Sequence, residues 1–124
     1  MSLVAPGGDT VPRMQSWNLQ EIDLQGGTRS PVVVFSRDEG RAVLIGLDAG
    51  QELGDHQVKE TAFLVVVDGD VDVSGDGGPL AAGPGTLVAF EPNERRRVAS
   101  PHGARILLVL APWPGVGHYA ASER

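Results

Sequence analysis

The stretch GQELGDHQVKETAFLVVVDG, from Gly50 to Gly69, contains the features that decide the fold. Its apolar run from Ala62 to Val67 is rich in valine and too short for a typical helix. An Asp-Gly pair, which favours a tight turn, closes this run. The stretch is therefore predicted to form a β-strand that ends in a turn.

The rest of the chain repeats this arrangement. Seventeen glycines and nine prolines divide it into short apolar runs. Val32–Phe35 and Ala42–Leu47 flank a polar turn at Ser36–Gly40, which predicts a hairpin. Further strands are predicted at Ala62–Val67, Val71–Val73, Thr86–Phe90, Arg97–Ala99 and Arg105–Leu110. Turn signals about every ten residues are typical of a β-sandwich or barrel.

The two ends of the chain differ from this central part. Residues 1–15 and 114–124 are rich in glycine, proline and small side chains, so they are predicted to be loose arms around a single domain at 16–113. Ser16–Leu24 fits a short serine-capped turn and a strand equally well. At most one or two short helical turns are expected in the whole chain.

Composition excludes several classes of function. The chain has 124 residues and a formal charge of -6, and its only basic cluster, Arg95–Arg97, is too short for a nucleic-acid interface. It has no cysteine, so thiolate catalysis and cysteine-ligated metals are excluded. It has neither a signal-peptide pattern nor a membrane-length apolar run. The expectation is a cytoplasmic protein without nucleic-acid or membrane partners.

Two sets of residues at fixed spacing, called motif frames below, restrict the choice among all-β folds further. The first consists of Gly50, His56, Val58, Ala62 and Gly69, and the second, GTLVAFEPNERRRV, runs from Gly85 to Val98. At these residues the chain resembles the cupin family of double-stranded β-helix, or jelly-roll, barrels. The resemblance covers about residues 30–110 and implies an all-β fold. The resemblance further implies a homodimer, because dimerisation is carried over from the family. The contact would be made through the outer face of one sheet or through the N-terminal arm.

The resemblance also implies where a metal would bind. Cupins supply two histidines and a glutamate from the first motif and one histidine from the second. His56 matches the first histidine, whereas Val58, Ala62 and Arg96 occupy the other three positions. Valine and alanine have no donor atom, and a permanently charged guanidinium cannot be a metal ligand. No metal cofactor is therefore expected. Asn93 replaces a turn glycine of the second motif, and asparagine tolerates the left-handed conformation that such a turn requires.

A metal-dependent enzyme of the dioxygenase or isomerase type is the alternative, with fallback ligands His56, Glu60 and His102. His56 and Glu60 would share a face if one strand ran straight through them. The family frame, however, puts Glu60 where an acidic side chain is commonly solvated. His102 lies in a predicted turn and His118 in the predicted C-terminal arm, so both are expected to be exposed loop histidines.

The preferred hypothesis is a metal-independent ligand-binding or sensing domain with no catalytic residues. Its pocket would be lined by apolar side chains and two polar ones: Val58, Ala62, Leu64, Val66, Val98, His56 and Arg96. Arginine binds carboxylate or phosphate through two parallel hydrogen bonds, so the ligand would be a small anion. If Arg95–Arg97 were instead a solvated hairpin, the protein would be a filled structural barrel without a ligand.

Overall fold

The computed structural model describes residues 14–24, 30–56, 58–75 and 78–114. Within these ranges there are nine β-strands and no helix: β1 (Ser30–Arg37), β2 (Gly40–Leu47), β3 (Gln51–His56), β4 (Thr61–Gly69), β5 (Val71–Gly75), β6 (Leu80–Ala82), β7 (Leu87–Phe90), β8 (Arg96–Ser100) and β9 (Ala104–Ala111). They form a five-stranded sheet in the order β1-β2-β9-β4-β7 and a four-stranded sheet in the order β3-β8-β5-β6. The all-β prediction is confirmed.

The core lies between the two sheets and is aliphatic. Alternate residues of β4 and β9 point inward, among them Leu64, Val66 and Ile106, each at most 1% exposed. Val71, Val73 and Val98 face them from the four-stranded sheet. Each fully buried side chain of this size contributes about 1.5–3 kcal/mol relative to an exposed one. Hydrophobic burial along two-residue periods therefore explains why the two sheets close on each other.

Most of the predicted strands are confirmed, and the hairpin of β1 and β2 closes through Asp38 and Glu39. Two strands were not predicted. β3 has the sequence QELGDH and β6 has only three residues, so neither shows a hydrophobic period. Each places one apolar side chain in or against the core, Leu53 and Ala82, and pairing with β8 and β5, respectively, specifies the rest of the strand.

Turn residues adopt the conformations that the two motif frames require. Gly50, Gly69 and Gly85 have φ angles of 84°, 75° and 88°. Asn93 has φ 66°, which confirms the prediction that it replaces a glycine in the left-handed region. Its backbone N–H donates to the carbonyl of Val58 at 2.7 Å, so the turn before β8 is tied to the segment before β4.

The segment at 14–24 packs on the outer face of the five-stranded sheet. It contains neither a helix nor a strand, only a turn in which the Glu21 N–H donates to the Asn18 carbonyl at 3.0 Å. Nη1 of Arg105 donates to the carbonyls of Leu19 and Ile22, both at 2.7 Å. The Trp17 ring packs edge-on against Phe35. These contacts hold the part of the segment from Trp17 to Ile22 on the sheet, whereas Met14 is 77% exposed. The predicted domain bounds and loose arms stay predictions, and residues 1–13 and 115–124 lie outside the described ranges.

Candidate functional site

One end of the barrel collects the charged side chains that point into the interior among the described residues. The strand directions put the start of β2, the end of β3, the start of β4, the end of β7 and the start of β8 at this end. Arg96, Glu60 and Arg41 lie there. We call this region the arginine end.

Arg96 is the central residue of the arginine end. It begins β8, is 3% exposed, and alternates with exposed Arg95 and Arg97. The alternative of a solvated triple-arginine hairpin therefore fits the two exposed neighbours but not the buried Arg96. The reason is the two-residue period of β8, in which Arg96, Val98 and Ser100 point inward.

The environment of Arg96 is apolar on one side and incompletely paired on the other. Its guanidinium carbon lies 4.7 Å from the centroid of the Phe90 ring. Burial removes water from the cation and lowers the pKa of Arg96, and the negative charge of Glu94 partly offsets this. Nη1 is buried and has no hydrogen-bond partner among the described residues. An oxygen acceptor is the group that this nitrogen lacks.

A cavity of about 270 Å³ lies beside Arg96, in the seam between β7 and the β5–β6 edge of the other sheet. Its lining includes Val73, Pro79, Val88, Phe90 and Glu94. Arg96 is not among the lining residues. Phe90, whose ring it contacts, and Glu94, whose charge partly offsets the lowering of the Arg96 pKa, do line the cavity. The cavity therefore borders the Phe90–Arg96 pair through the Phe90 ring and the Glu94 side chain.

The apolar pocket residues predicted from the sequence lie together in the core. Ala62, Leu64, Val66 and Val98 are each at most 1% exposed, and Val58 packs against them. His56 ends β3, with its Cα opposite that of Arg96 in the ladder. The side chain of His56 lies outside what the structure describes, so its role in the pocket stays a prediction.

Two expectations about Glu60 are wrong. Glu60 is 1% exposed, not solvated, because it directly precedes β4 and is covered where the barrel closes. No single strand connects it to His56, since β3 ends at His56 and β4 starts at Thr61, with bends at Lys59 and Glu60 between them. A shared strand face therefore does not bring these two residues together.

His102 lies in the turn between β8 and β9, as expected. Its side chain is 77% exposed, and Nδ1 lies 3.3 Å from Oδ1 of Asp70. Since β8 starts at the arginine end and finishes before this turn, His102 is at the opposite end of the barrel from Arg96. His118 falls outside the described residues. Within the described side chains, no group of three histidine, aspartate or glutamate residues is arranged to hold a metal ion.

Arg41 was not predicted as a site residue. This residue is the second of β2 and pairs with Leu110 in β9, whose side chain is buried. Its guanidinium carbon lies 4.5 Å from the Trp113 ring, and Nε is buried without a hydrogen-bond partner in the described part of the chain. A signal was present, because Arg41 is in phase with Val43, Ile45 and Leu47 in the alternation of β2.

Comparison with known proteins supports the fold. No family model matches the chain, and no curated protein matches it. An RmlC-like cupin protein from Desulfovibrio desulfuricans is similar at 26% identity, covering 80% of this chain and 97% of its own, with a TM-score of 0.70. An RmlC-like cupin from Shewanella frigidimarina is 26% identical over 78% of this chain and 88% of its own, with a TM-score of 0.67. A conserved protein of unknown function from Streptococcus pyogenes is 18% identical over 90% of this chain and 95% of its own, with a TM-score of 0.68.

Proposed function

Because the chain has the double-stranded β-helix fold of the cupins, we propose that it is a metal-independent binding or sensing domain for a small anion, held at the arginine end. One observation carries the proposal: the guanidinium of Arg96 is buried, and its Nη1 has no hydrogen-bond partner among the described residues. The fold by itself selects no activity, since cupins of different function share it.

The energetics of Arg96 favour an anion. A buried cation without a full set of hydrogen bonds loses hydration energy, as its lowered pKa reflects. The Phe90 ring lies 4.7 Å from the guanidinium carbon and offers no hydrogen-bond acceptor oxygen, so it leaves Nη1 in need of one. A carboxylate or phosphate at this edge would form charge-assisted hydrogen bonds and offset the cost of burial.

The alternative, a cupin metalloenzyme, fits the residues poorly. Val58 and Ala62 lack donor atoms, and Arg96 brings a positive charge to the position of the second-motif histidine. Metal binding would then depend on His56 with Glu60 or His102. Elemental analysis of chelator-free protein tests this alternative. We expect well below about one transition-metal ion per chain; a full equivalent that disappears in His56→Ala would support the metalloenzyme.

A thermal-shift screen tests the anion proposal directly. Phosphate, sulfate, acetate and benzoate are compared with chloride at equal ionic strength. A bound anion stabilises the folded state by about 2.7 kcal/mol at a hundredfold excess over its Kd. We expect Arg96→Met to lose this shift and Arg97→Met, which changes an exposed neighbour, to keep it. A shift that persists in Arg96→Met contradicts the proposal, and no shift with any anion favours the filled structural barrel.

We also propose a homodimer formed through the outer face of the five-stranded sheet. Away from the segment at 14–24, this face carries apolar side chains that are partly or largely exposed: Phe63, Val65, Leu87, Leu107 and Val109. Leu87 is 60% exposed. A contiguous apolar sheet face of this kind is commonly an interaction surface. A second copy is the occupant we favour, because isologous pairing would cover the same patch on both chains.

A further inference from the structure

Arg41 and Arg96 together suggest what kind of anion binds. Both lie on the inner face at the same end of the barrel, one from each sheet. Each stacks on an aromatic ring, and each has a buried nitrogen without a hydrogen-bond partner among the described residues. Two incompletely paired guanidinium groups are therefore present where the proposed function uses only one.

The register relates the two groups to each other. Arg41, Leu110, Ala62 and Phe90 are successive Cα partners across β2, β9, β4 and β7. With strands about 4.8 Å apart, the Cα atoms of Arg41 and Phe90 are separated by roughly 14 Å along the sheet. Since Phe90 contacts Arg96, the two guanidinium groups flank one row of the inner face, and the two residues between their positions, Leu110 and Ala62, are apolar.

We infer that the ligand is an elongated acid with an acidic group at each end, a small dicarboxylate, bound by Arg96 at one end and Arg41 at the other. This inference rests on the proposed function. An apolar spacer matches the row of Leu110 and Ala62, and because these side chains are 6% and 0% exposed, the ligand has to open core contacts over them to bind. A planar guanidinium at each end matches a carboxylate. The buried carboxylate of Glu60 is at the same end, and with the two arginines it leaves a net charge of +1 before Glu94 and Arg95 are counted.

The test compares two series of probes on three proteins. Linear dicarboxylates from malonate to suberate and monocarboxylates of equal carbon number are titrated into wild type, Arg41→Met and Arg96→Met by calorimetry. Methionine at position 41 keeps an unbranched side chain against Trp113. If Arg41→Met does not fold, Arg41→Lys, which retains the charge without the planar guanidinium, is used in its place. Arg97→Met is the exposed control.

We expect one dicarboxylate length to bind wild type at least tenfold more tightly than its matched monocarboxylate. Arg41→Met should remove that preference while monocarboxylates still bind through Arg96, and Arg41→Lys, if it has to be used, should reduce the preference. Arg96→Met should weaken the binding of both series. Equal binding of the two series by wild type, or a preference that survives substitution of Arg41 undiminished, overturns this inference alone. If neither series binds wild type, both this inference and the proposed anion function fail for carboxylates.

Discussion

The guanidinium of Arg96 stacks on the ring of Phe90, with 4.7 Å between the guanidinium carbon and the ring centroid. The two residues belong to different sheets, since Phe90 ends β7 and Arg96 starts β8. Their contact therefore closes the seam between the sheets at the arginine end. The same contact holds the cation beside the cavity that Phe90 lines.

A double-mutant cycle should measure this stack. Phe90→Leu is expected to lower the free energy of unfolding by about 1–2 kcal/mol, because the ring is buried. Arg96→Met loses the contact with the ring but relieves the burial of an incompletely hydrogen-bonded charge, so its own effect should be smaller. The coupling between them should be about 0.5–2 kcal/mol, as for a cation–π pair shielded from water. Urea denaturation of the four proteins gives these values. Strictly additive effects would mean that the two residues do not stabilise each other.

Gly69, which closes the first motif frame, should be the least replaceable turn glycine of the two frames. Its φ is 75°, and a Cβ there would lie 2.2 Å from the carbonyl oxygen of Gly103 and 2.7 Å from Cα of Ala104. Both contacts are with backbone that cannot move aside easily. We expect Gly69→Ala to cost about 3 kcal/mol or more, from the left-handed φ together with the clash.

Alanine substitutions at Gly50 and Gly54 separate the cost of the left-handed φ from the cost of the steric clash. Gly50 has φ 84°, and a Cβ at this position would have no heavy atom within 4 Å, so Gly50→Ala should cost only the conformational strain of about 1–2 kcal/mol. Gly54 lies in β3 without a positive φ and with equal space, so Gly54→Ala should be within about 0.5 kcal/mol of wild type. Thermal unfolding of the three variants should follow this order. Equal losses at Gly69 and Gly50 would contradict the clash.

The sequence was sufficient for the fold because local signals and burial agree along most of the chain. The residue types themselves indicate the structural role in several places: the apolar run of β4, the turn glycines Gly50 and Gly69, and the left-handed Asn93. β3 escaped prediction because its residues are mostly polar and its place depends on pairing with β8. Such a strand is specified by distant partners and not by its own pattern.

The candidate site was only partly predictable. Motif spacing identified Arg96, but spacing does not fix which face of a strand a residue occupies, and a shift of one residue would have exposed it. Glu60 was expected in solvent because nothing in its neighbours shows that the chain bends there and covers it. Arg41 is in phase with the apolar residues of β2, but the register with Leu110 and the contact with Trp113 that place it in the site are long-range.

Arg105 should hold the segment at 14–24 on the outer face of the sheet. Its Nη1 donates to the carbonyls of both Leu19 and Ile22 at 2.7 Å. We expect Arg105→Met to lower stability by about 1–3 kcal/mol, the range for hydrogen bonds to a charged donor. Hydrogen exchange should rise in this segment more than in β4 or β9.

The control for Arg105 is Arg97→Met, which removes an exposed pair whose Nε lies 3.6 Å from Oε1 of Glu52. Solvent and salt screen such a pair, so the variant should change stability by less than about 0.5 kcal/mol and leave exchange at 14–24 unaltered. Unchanged exchange in Arg105→Met would show that other contacts, such as Trp17 with Phe35, are sufficient to dock the segment.

The proposed dimer predicts that Leu87→Asp produces a monomer. Leu87 is 60% exposed on the outer face of β7, and a carboxylate in a buried apolar interface would be left without a partner. Leu80→Asp is the matched control, since Leu80 is 45% exposed but belongs to β6 of the other sheet. Light scattering after size exclusion should give a dimer mass for wild type and Leu80→Asp and a monomer mass for Leu87→Asp. A monomeric wild type, or a dimer that tolerates Leu87→Asp, would exclude this face as the interface.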